Sequence, residues 1–292
     1  MSKDNFVKIA FIGGSGLYEI EGIEDIIEKD IDTPFGKPSD KITVGNINGV
    51  KCAFLPRHGR GHLYLPSEIN QRANMWALKS IGVEQIISFT ACGSLKENFK
   101  PKDFVIPDQI FDRTKNRINT FFGDGIVVHI PMVYPFCGHL RDIIHKSVGE
   151  IGLNHHFGGT YVCIDGPQFS TKAESLVNKG LGFSVVGMTA VPEAKLAREA
   201  EMCYANISLV TDFDAWKEGE EVTNDKVVET VKSNIVNSKK IIKDIVLKLA
   251  DNKEDCPCRH SLETSIMTAG DRVCSSPHYK KVALFLDKYF KK

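Results

Sequence analysis

Apolar positions come in short blocks along this chain, and the spacing within the blocks switches between strand-like and helix-like. Val7 to Ile12 is an apolar run broken only by Lys8, and it ends in Gly13-Gly14-Ser15-Gly16. That pattern predicts a buried strand feeding a tight glycine loop. Lys41 to Ile47 and Lys51 to Leu55 read as strands joined by Asn48-Gly49, a dipeptide suited to a two-residue hairpin turn. Ser67 to Ile81 places Ala73, Trp76, Ala77 and Ser80 on one stripe and predicts a helix. Gln85 to Thr90 predicts a strand entering Ala91-Cys92-Gly93-Ser94, and Phe104 to Pro107 a short strand. The charged stretch Glu19 to Glu28 is a poor helix.

The second half continues the alternation. Helices are predicted over His139 to Ile151, Thr171 to Leu181 and Pro192 to Met202. Strands are predicted over Thr160 to Ile164, Phe183 to Gly187 and Tyr204 to Thr211. A long helix runs from Thr223 to Ala250, with Thr223 or Asn224 as its cap. Residues 112–135 are aperiodic, the mark of a functional loop. Asp251 to Val273 reads as an irregular tail, and Ser276-Pro277 opens a last amphipathic helix to Phe290. Strands alternating with helices, interrupted by one hairpin, predict an α/β fold with a twisted mixed central sheet flanked by helices. No repeat or linker divides the chain, so residues 1–292 are expected to form one domain, with 251–292 as its C-terminal tail.

Charge narrows the functional classes. Lys+Arg and Asp+Glu both number 37, so there is no basic excess of the kind a nucleic-acid or anionic-membrane binder carries. Small-molecule ligands are expected instead. No apolar run approaches the ~20 residues that span a bilayer, and the N-terminus lacks a signal-peptide core. A cytoplasmic protein is expected. Its eight cysteines should then be mostly reduced core residues, and only Cys256-Pro257-Cys258 is clustered.

Three stretches carry candidate chemistry. In the first, the backbone N–H groups of Gly13-Gly14-Ser15-Gly16 can converge on an anion, though a plain turn explains the motif equally well. A dinucleotide fingerprint would need a small residue where Glu19 stands, and no Lys-Ser/Thr pair follows at P-loop spacing. The second, Arg57-His58-Gly59-Arg60-Gly61-His62, follows a strand and suits a small dianion, because Arg forks onto phosphate oxygens and His adds a donor. Zinc on His58 and His62 fails, since the glycines disfavour the helix that this spacing needs. The third, Thr211-Asp212-Phe213-Asp214, sets two carboxylates at a strand end. Close carboxylates push one pKa up, which makes a proton donor. Mg²⁺ binding or a simple strand exit are the other readings of that D-x-D.

Taken in order, these words resemble the trimeric purine nucleoside phosphorylase family, and within it the methylthioadenosine phosphorylase branch. The words are Ile12-Gly13-Gly14-Ser15-Gly16-Leu17, Asp32-Thr33-Pro34-Phe35-Gly36-Lys37-Pro38-Ser39, Arg57-His58-Gly59-Arg60, Thr90-Ala91-Cys92-Gly93-Ser94, Gly166-Pro167-Gln168-Phe169-Ser170, Met188-Thr189-Ala190-Val191-Pro192-Glu193 and Thr211-Asp212-Phe213-Asp214. They span Ile9 to about Val231. The resemblance implies that phosphate attacks the anomeric carbon of methylthioadenosine, releasing adenine and 5-methylthioribose 1-phosphate. It implies a phosphate shell of Ser15, Arg57, His58, Ala91 and Thr189. Thr90, Phe169 and Met188 then hold the nucleoside, Phe169 by stacking and Met188 by its backbone on the ribose.

Asp212 and Asp214 read the adenine, with Asp212, Asp214 and His58 as the catalytic set. His129 reaches the 5′ pocket from a neighbouring subunit, and Val227 and Val228 face the methylthio group. A homotrimer or a dimer of trimers is implied, with phosphate as co-substrate and no cofactor or catalytic metal. A purine nucleoside phosphorylase of broad or 6-oxopurine preference is the alternative, but that branch places Asn where Asp212 stands. Cys256-Pro257-Cys258 resembles the C-x-C of hyperthermophilic archaeal members, where disulfides form inside the cell. A redox pair is the favoured reading. A solvent-facing pair, or zinc held with His260 and Cys274, are the others.

Overall fold

The computed structural model describes residues 6–14, 22–220, 223–251 and 255–290. Its strands are β1 (Ile9–Gly13), β2 (Glu24–Lys29), β3 (Ile42–Ile47), β4 (Val50–Pro56), β5 (Gln85–Ser94), β6 (Phe104–Ile106), β7 (Gln109–Asp112), β8 (His155–Phe157), β9 (Thr160–Cys163), β10 (Val185–Gly187) and β11 (Cys203–Asp212). All join one mixed sheet. The helices are α1 (Gln71–Ser80), α2 (Gly138–Glu150), α3 (Lys172–Gly180), α4 (Ala190–Glu199), α5 (Asn224–Ala250), α6 (Gly270–Ser275) and α7 (Tyr279–Phe290).

The strand β5 organises the sheet. β11 follows one of its edges in parallel, from Cys203 opposite Gln85 to Val210 opposite Cys92. Two strands share the other edge. β1 pairs in parallel with Gln85 to Ser88, and β10 pairs antiparallel with Gly93 and Ser94. Phe89 to Cys92 fall between these partners. Ala91 is exposed there although the residues before it in β5 are all buried. A sheet whose strand order divides in this way leaves a crevice at the carboxyl ends of its strands.

The two faces of β5 and β11 differ because side chains alternate. Ile87, Phe89, Ala205, Ile207 and Leu209 share one hydrophobic core with Leu140 and Ile144 of α2 and Ile241, Ile242 and Ile245 of α5. Ser88, Thr90, Asn206 and Ser208 lie on the opposite face, all buried. They satisfy one another: Asn206 Nδ2 donates to Thr90 Oγ1 at 3.2 Å, and Ser208 Oγ donates to Asn206 Oδ1 at 2.7 Å.

The predicted fold class holds, with instructive differences. The stretch Glu19 to Glu28 reads as a poor helix, and β2 covers its second half. It is an exposed edge strand, so no alternation betrays it. β5 runs on past the expected end at Thr90, through Ala91-Cys92-Gly93-Ser94. α1 begins at Gln71 rather than Ser67, where the Asn70 side chain accepts from Ala73 N at 3.2 Å and caps it. The final helix starts at Tyr279, and the tail before it holds a single 3₁₀ turn, Pro257–His260, and α6. The short strands β7 and β8 carry no period that could be read.

Gly187 closes β10 at a tight crossing. A Cβ there would sit 2.0 Å from the buried Tyr161 Oη. Gly187→Ala should lower stability by about 1–3 kcal/mol, the usual cost of overpacking, as a shift in the urea midpoint. An unchanged midpoint would disprove the close packing.

Candidate active site

Arg57 leaves the end of β4 and turns inward. Its backbone N–H donates to Gly13 O at 2.9 Å, which ties the ends of β4 and β1 together. Its guanidinium is 2% exposed and its partner Glu193, on α4, is fully buried. Nε bonds Glu193 Oε1, and Nη2 donates to Glu193 Oε2 at 3.2 Å and to Ser88 Oγ at 2.6 Å. Nη1 donates to Phe89 O at 3.0 Å. Four of the five guanidinium protons are thus committed, leaving one on Nη1. Ser88 Oγ and Tyr204 Oη also donate to Glu193 Oε2, at 3.0 and 2.8 Å. The Glu193 charge outweighs burial and raises the Arg57 pKa.

His58 is next in the chain and 8% exposed. Its Nδ1 lies 2.9 Å from Tyr64 O, and a carbonyl only accepts, so Nδ1 carries the proton. Burial, then the Arg57 charge, push its pKa down to about 4. The ring is neutral at physiological pH, with a lone pair at Nε2. In that state Nε2 can accept a hydrogen bond, for example from a hydroxyl of a bound anion. His62 stacks on it at 4.3 Å between centroids.

Across the crevice, β11 ends in Asp212, and Asp214 opens the 3₁₀ turn that follows. Gly93 allows the approach, since a Cβ there would lie 3.0 Å from Asp212 Oδ1 and 3.0 Å from Asp214 Cβ. Asp212 accepts from Thr211 Oγ1 at 2.6 Å and from Asp214 N at 2.7 Å. Burial, and then the Asp214 charge, raise its pKa against those hydrogen bonds. Burial raises the Asp214 pKa too. Its Oδ2 is buried with no partner. The hydroxyls of Ser170 and Ser175 lie near enough to temper the shift, but neither meets hydrogen-bond geometry. A buried carboxylate oxygen without a donor is costly unless something supplies one.

The remaining predicted residues fall around this crevice unevenly. Ala91 faces it. The Thr90 side chain is turned into the Asn206 network, so only its backbone is available. Thr189 is buried at the start of α4, and its side chain makes no capping bond. Met188, half-buried, precedes it. Gly166, at φ +67°, leaves room for its sulfur, which would lie 2.4 Å from a Cβ. Phe169 is 48% exposed and lines a cavity with Arg113, Asp165, Gln168 and Ser170.

Val227 is half-buried and Val228 exposed at the start of α5. Asn234, two turns further on, donates to Val210 O at 3.1 Å and anchors the helix over the end of β11. His129 is exposed and its N–H donates to Ser265 O at 2.9 Å, so no described contact joins it to the crevice. Ser15 lies outside the described residues. The alternative zinc set does not assemble either: His260 pairs with Asp255 and Glu263, and Cys274 is exposed on α6. Cys256 and Cys258 are buried rather than solvent-facing.

Two residues escaped the sequence reading. Glu193 sits in the buried stripe of α4 beside Ala194 and Ala197, and a carboxylate in an apolar stripe was the available signal. Arg117, from the long loop, donates to Met188 O and Val191 O, both at 2.7 Å, and to Asp165 O at 2.8 Å. It pins two crevice segments, and nothing in its local sequence marks it.

A family model described as the phosphorylase superfamily matches residues 8–247. The chain belongs to the phosphorylase superfamily. It is similar to S-methyl-5′-thioadenosine phosphorylase of Koribacter versatilis, 46% identical over 284 residues and 97% of each chain. The enzyme of that name from Hyperthermus butylicus is 50% identical over 89% of this chain and 95% of its own. Among solved structures, a methylthioadenosine phosphorylase from an antarctic soil metagenomic library superposes with a TM-score of 0.92 at 43% identity, covering 97% of this chain and 99% of that one. Methylthioadenosine phosphorylase from Schistosoma mansoni in complex with adenine gives 0.83 at 39% identity, over 89% and 99%. The large mixed sheet flanked by helices is that of these phosphorylases.

Arg57→Ala should strand a fully buried Glu193 carboxylate. Breaking such a pair from one side costs about 3–5 kcal/mol, to be read in the denaturant midpoint. A loss under ~1 kcal/mol would show the pair to be unimportant for folding.

Proposed function

We propose that this chain catalyses the phosphorolysis of S-methyl-5′-thioadenosine to adenine and 5-methylthioribose 1-phosphate. The observation that carries the reading is the unpaired β5 edge at Ala91, with Arg57 and His58 at one end of the crevice and Asp212 and Asp214 at the other. The relatives of that name, similar along nearly the whole chain, support the same substrate.

Breaking an N-glycosidic bond builds positive charge on the sugar and negative charge on the departing base. Phosphate beneath the ring offsets the first. In this reading Ser15, His58, Ala91, Thr189 and the last Nη1 proton of Arg57 bind the phosphate. Neutral His58 accepts a hydrogen bond at Nε2 from the hydroxyl that hydrogen phosphate carries, which leaves the proton on phosphate and orients a lone pair of another oxygen toward the sugar. Asp212, its pKa raised, donates to purine N7, and Asp214 accepts from the adenine amino group, giving its unpartnered Oδ2 a donor. Phe169 stacks on the base, Met188 and Thr90 hold the sugar by their backbones, and Val227 and Val228 take up the methylthio group.

The substrates are small molecules, phosphate is the co-substrate, and the reaction needs no cofactor or catalytic metal. The chain works as a homotrimer or a dimer of trimers in the cytoplasm, with His129 supplied to the neighbouring site. The exposed Leu63, Tyr64 and Leu65, which follow His62, suit such an interface. No helix among the described residues is long and apolar enough to cross a membrane.

Adenine release from methylthioadenosine should require phosphate and far exceed hypoxanthine release from inosine; the reverse preference would overturn the substrate assignment. Asp212→Ala should lower kcat by about 10²–10⁴ and change KM little. It should also abolish the fall in kcat as pH rises through the raised carboxyl pKa, because the acid must be protonated to act. An unchanged pH limb would remove Asp212 from that role. Trimers mixed from His129→Ala and Asp212→Ala subunits should recover activity that neither shows alone, and failure to do so would remove His129 from the site.

A further inference from the structure

Four of the eight cysteines converge where the C-terminal segment meets the sheet. Cys137 precedes α2, Cys203 opens β11, and Cys256 and Cys258 flank Pro257 in the tail. All four are buried, and their Sγ atoms lie within 4.8 Å of one another. Cys137 Sγ and Cys256 Sγ are 3.6 Å apart. Three distant segments thus contribute thiols to one point, whereas Cys52, Cys92 and Cys163 belong to no such group among the described residues.

The spacing discriminates between chemistries. A disulfide needs sulfurs ~2.05 Å apart and uses them in pairs. A tetrahedral tetrathiolate site with Zn–S bonds of ~2.3 Å needs sulfur–sulfur edges of ~3.8 Å among all four. The observed separations bracket that edge, and only modest inward shifts are required. The site is closed, with four protein ligands and burial on every side, which is the arrangement of a structural rather than a catalytic zinc. We propose that Cys137, Cys203, Cys256 and Cys258 bind one zinc ion that locks the C-terminal segment onto the sheet.

Binding converts four S–H groups to four Zn–S bonds. The protons pass to solvent and no electrons move. The site's net charge becomes −2. The lock has a visible purpose. Cys137 N–H donates to Tyr204 O at 2.8 Å, so two ligands stand on neighbouring segments already joined. The other two begin a tail that then docks through Ser261 Oγ on Arg198 O at 2.6 Å and Leu262 N on Glu201 Oε1 at 3.1 Å. The ligands belong to the fold and not to the crevice, so the proposal stands or falls independently of the reaction.

The test is the metal content of the full-length chain, expressed with zinc in the medium and purified under reducing conditions without chelator. One zinc per chain is expected, released in step with mercurial titration of the thiols. Replacement by cobalt(II) should give the intense spectrum of a tetrahedral tetrathiolate. Cys258→Ser should weaken zinc retention by more than about 100-fold in chelator competition, while the exposed Cys274→Ser should not. Removal of zinc should lower Tm by about 5 °C or more. If Cys258→Ser does not fold, the zinc and cobalt readouts on the unmodified chain decide. Reduced protein that is metal-free and takes up no zinc would overturn the proposal. So would protein isolated with Cys137, Cys203, Cys256 and Cys258 in two disulfides.

Discussion

The buried pair of Arg57 and Glu193 is the constraint on which the crevice depends. Neither charge can reach water, so each must be met by the other and by fixed polar groups. Meeting that demand draws together four pieces: the end of β4, the β5 residues Ser88 and Phe89, α4 through Glu193, and β11 through Tyr204. The polar ladder of Thr90, Asn206 and Ser208 continues the same face, so a hydrogen-bonded layer backs the crevice. The opposite face of the same two strands carries a hydrophobic core under α2 and α5. Hydrophobic burial on one side supplies the stability. The polar layer on the other supplies a single geometry, because a half-satisfied network would be worse than none.

From this frame the two ends of the crevice acquire opposite electrostatics. At the Arg57 end, a cation fully matched by Glu193 leaves little net charge, and burial keeps His58 neutral. At the Asp212 end, burial holds both carboxyl pKa values up without a compensating cation. A pair of carboxyl groups disposed to hold a proton at one end and a neutral imidazole disposed to accept a hydrogen bond at the other stand on either side of the Ala91 edge. Both shifts share one cause, desolvation, acting on groups of opposite type.

Arg117 shows how the irregular 113–135 segment belongs to this construction. A single guanidinium holds the carbonyls of Asp165, Met188 and Val191. The segment has no regular structure to satisfy its partners, yet it fixes where two crevice strands end.

Local pattern reached far in this protein. The strands β1, β4, β5 and β11, the hairpin at Asn48-Gly49 and the long α5 were legible, because buried strands and amphipathic helices impose periods on the chain. The Arg57-His58 pair and the Asp212–Asp214 pair stand out as words, because each sets two polar groups side by side at the end of a strand. What only tertiary structure decided concerns partners far apart in the chain. Glu193 lies 136 residues from Arg57, and its pairing turned an expected phosphate ligand largely toward the core. Tyr64 O fixed the His58 tautomer, and burial set its charge. Cys137 and Cys203 joined Cys256 and Cys258 where sequence suggested His260 and Cys274. Sequence spacing records which groups are neighbours along the backbone, whereas charge state and ligation depend on what surrounds a group in three dimensions.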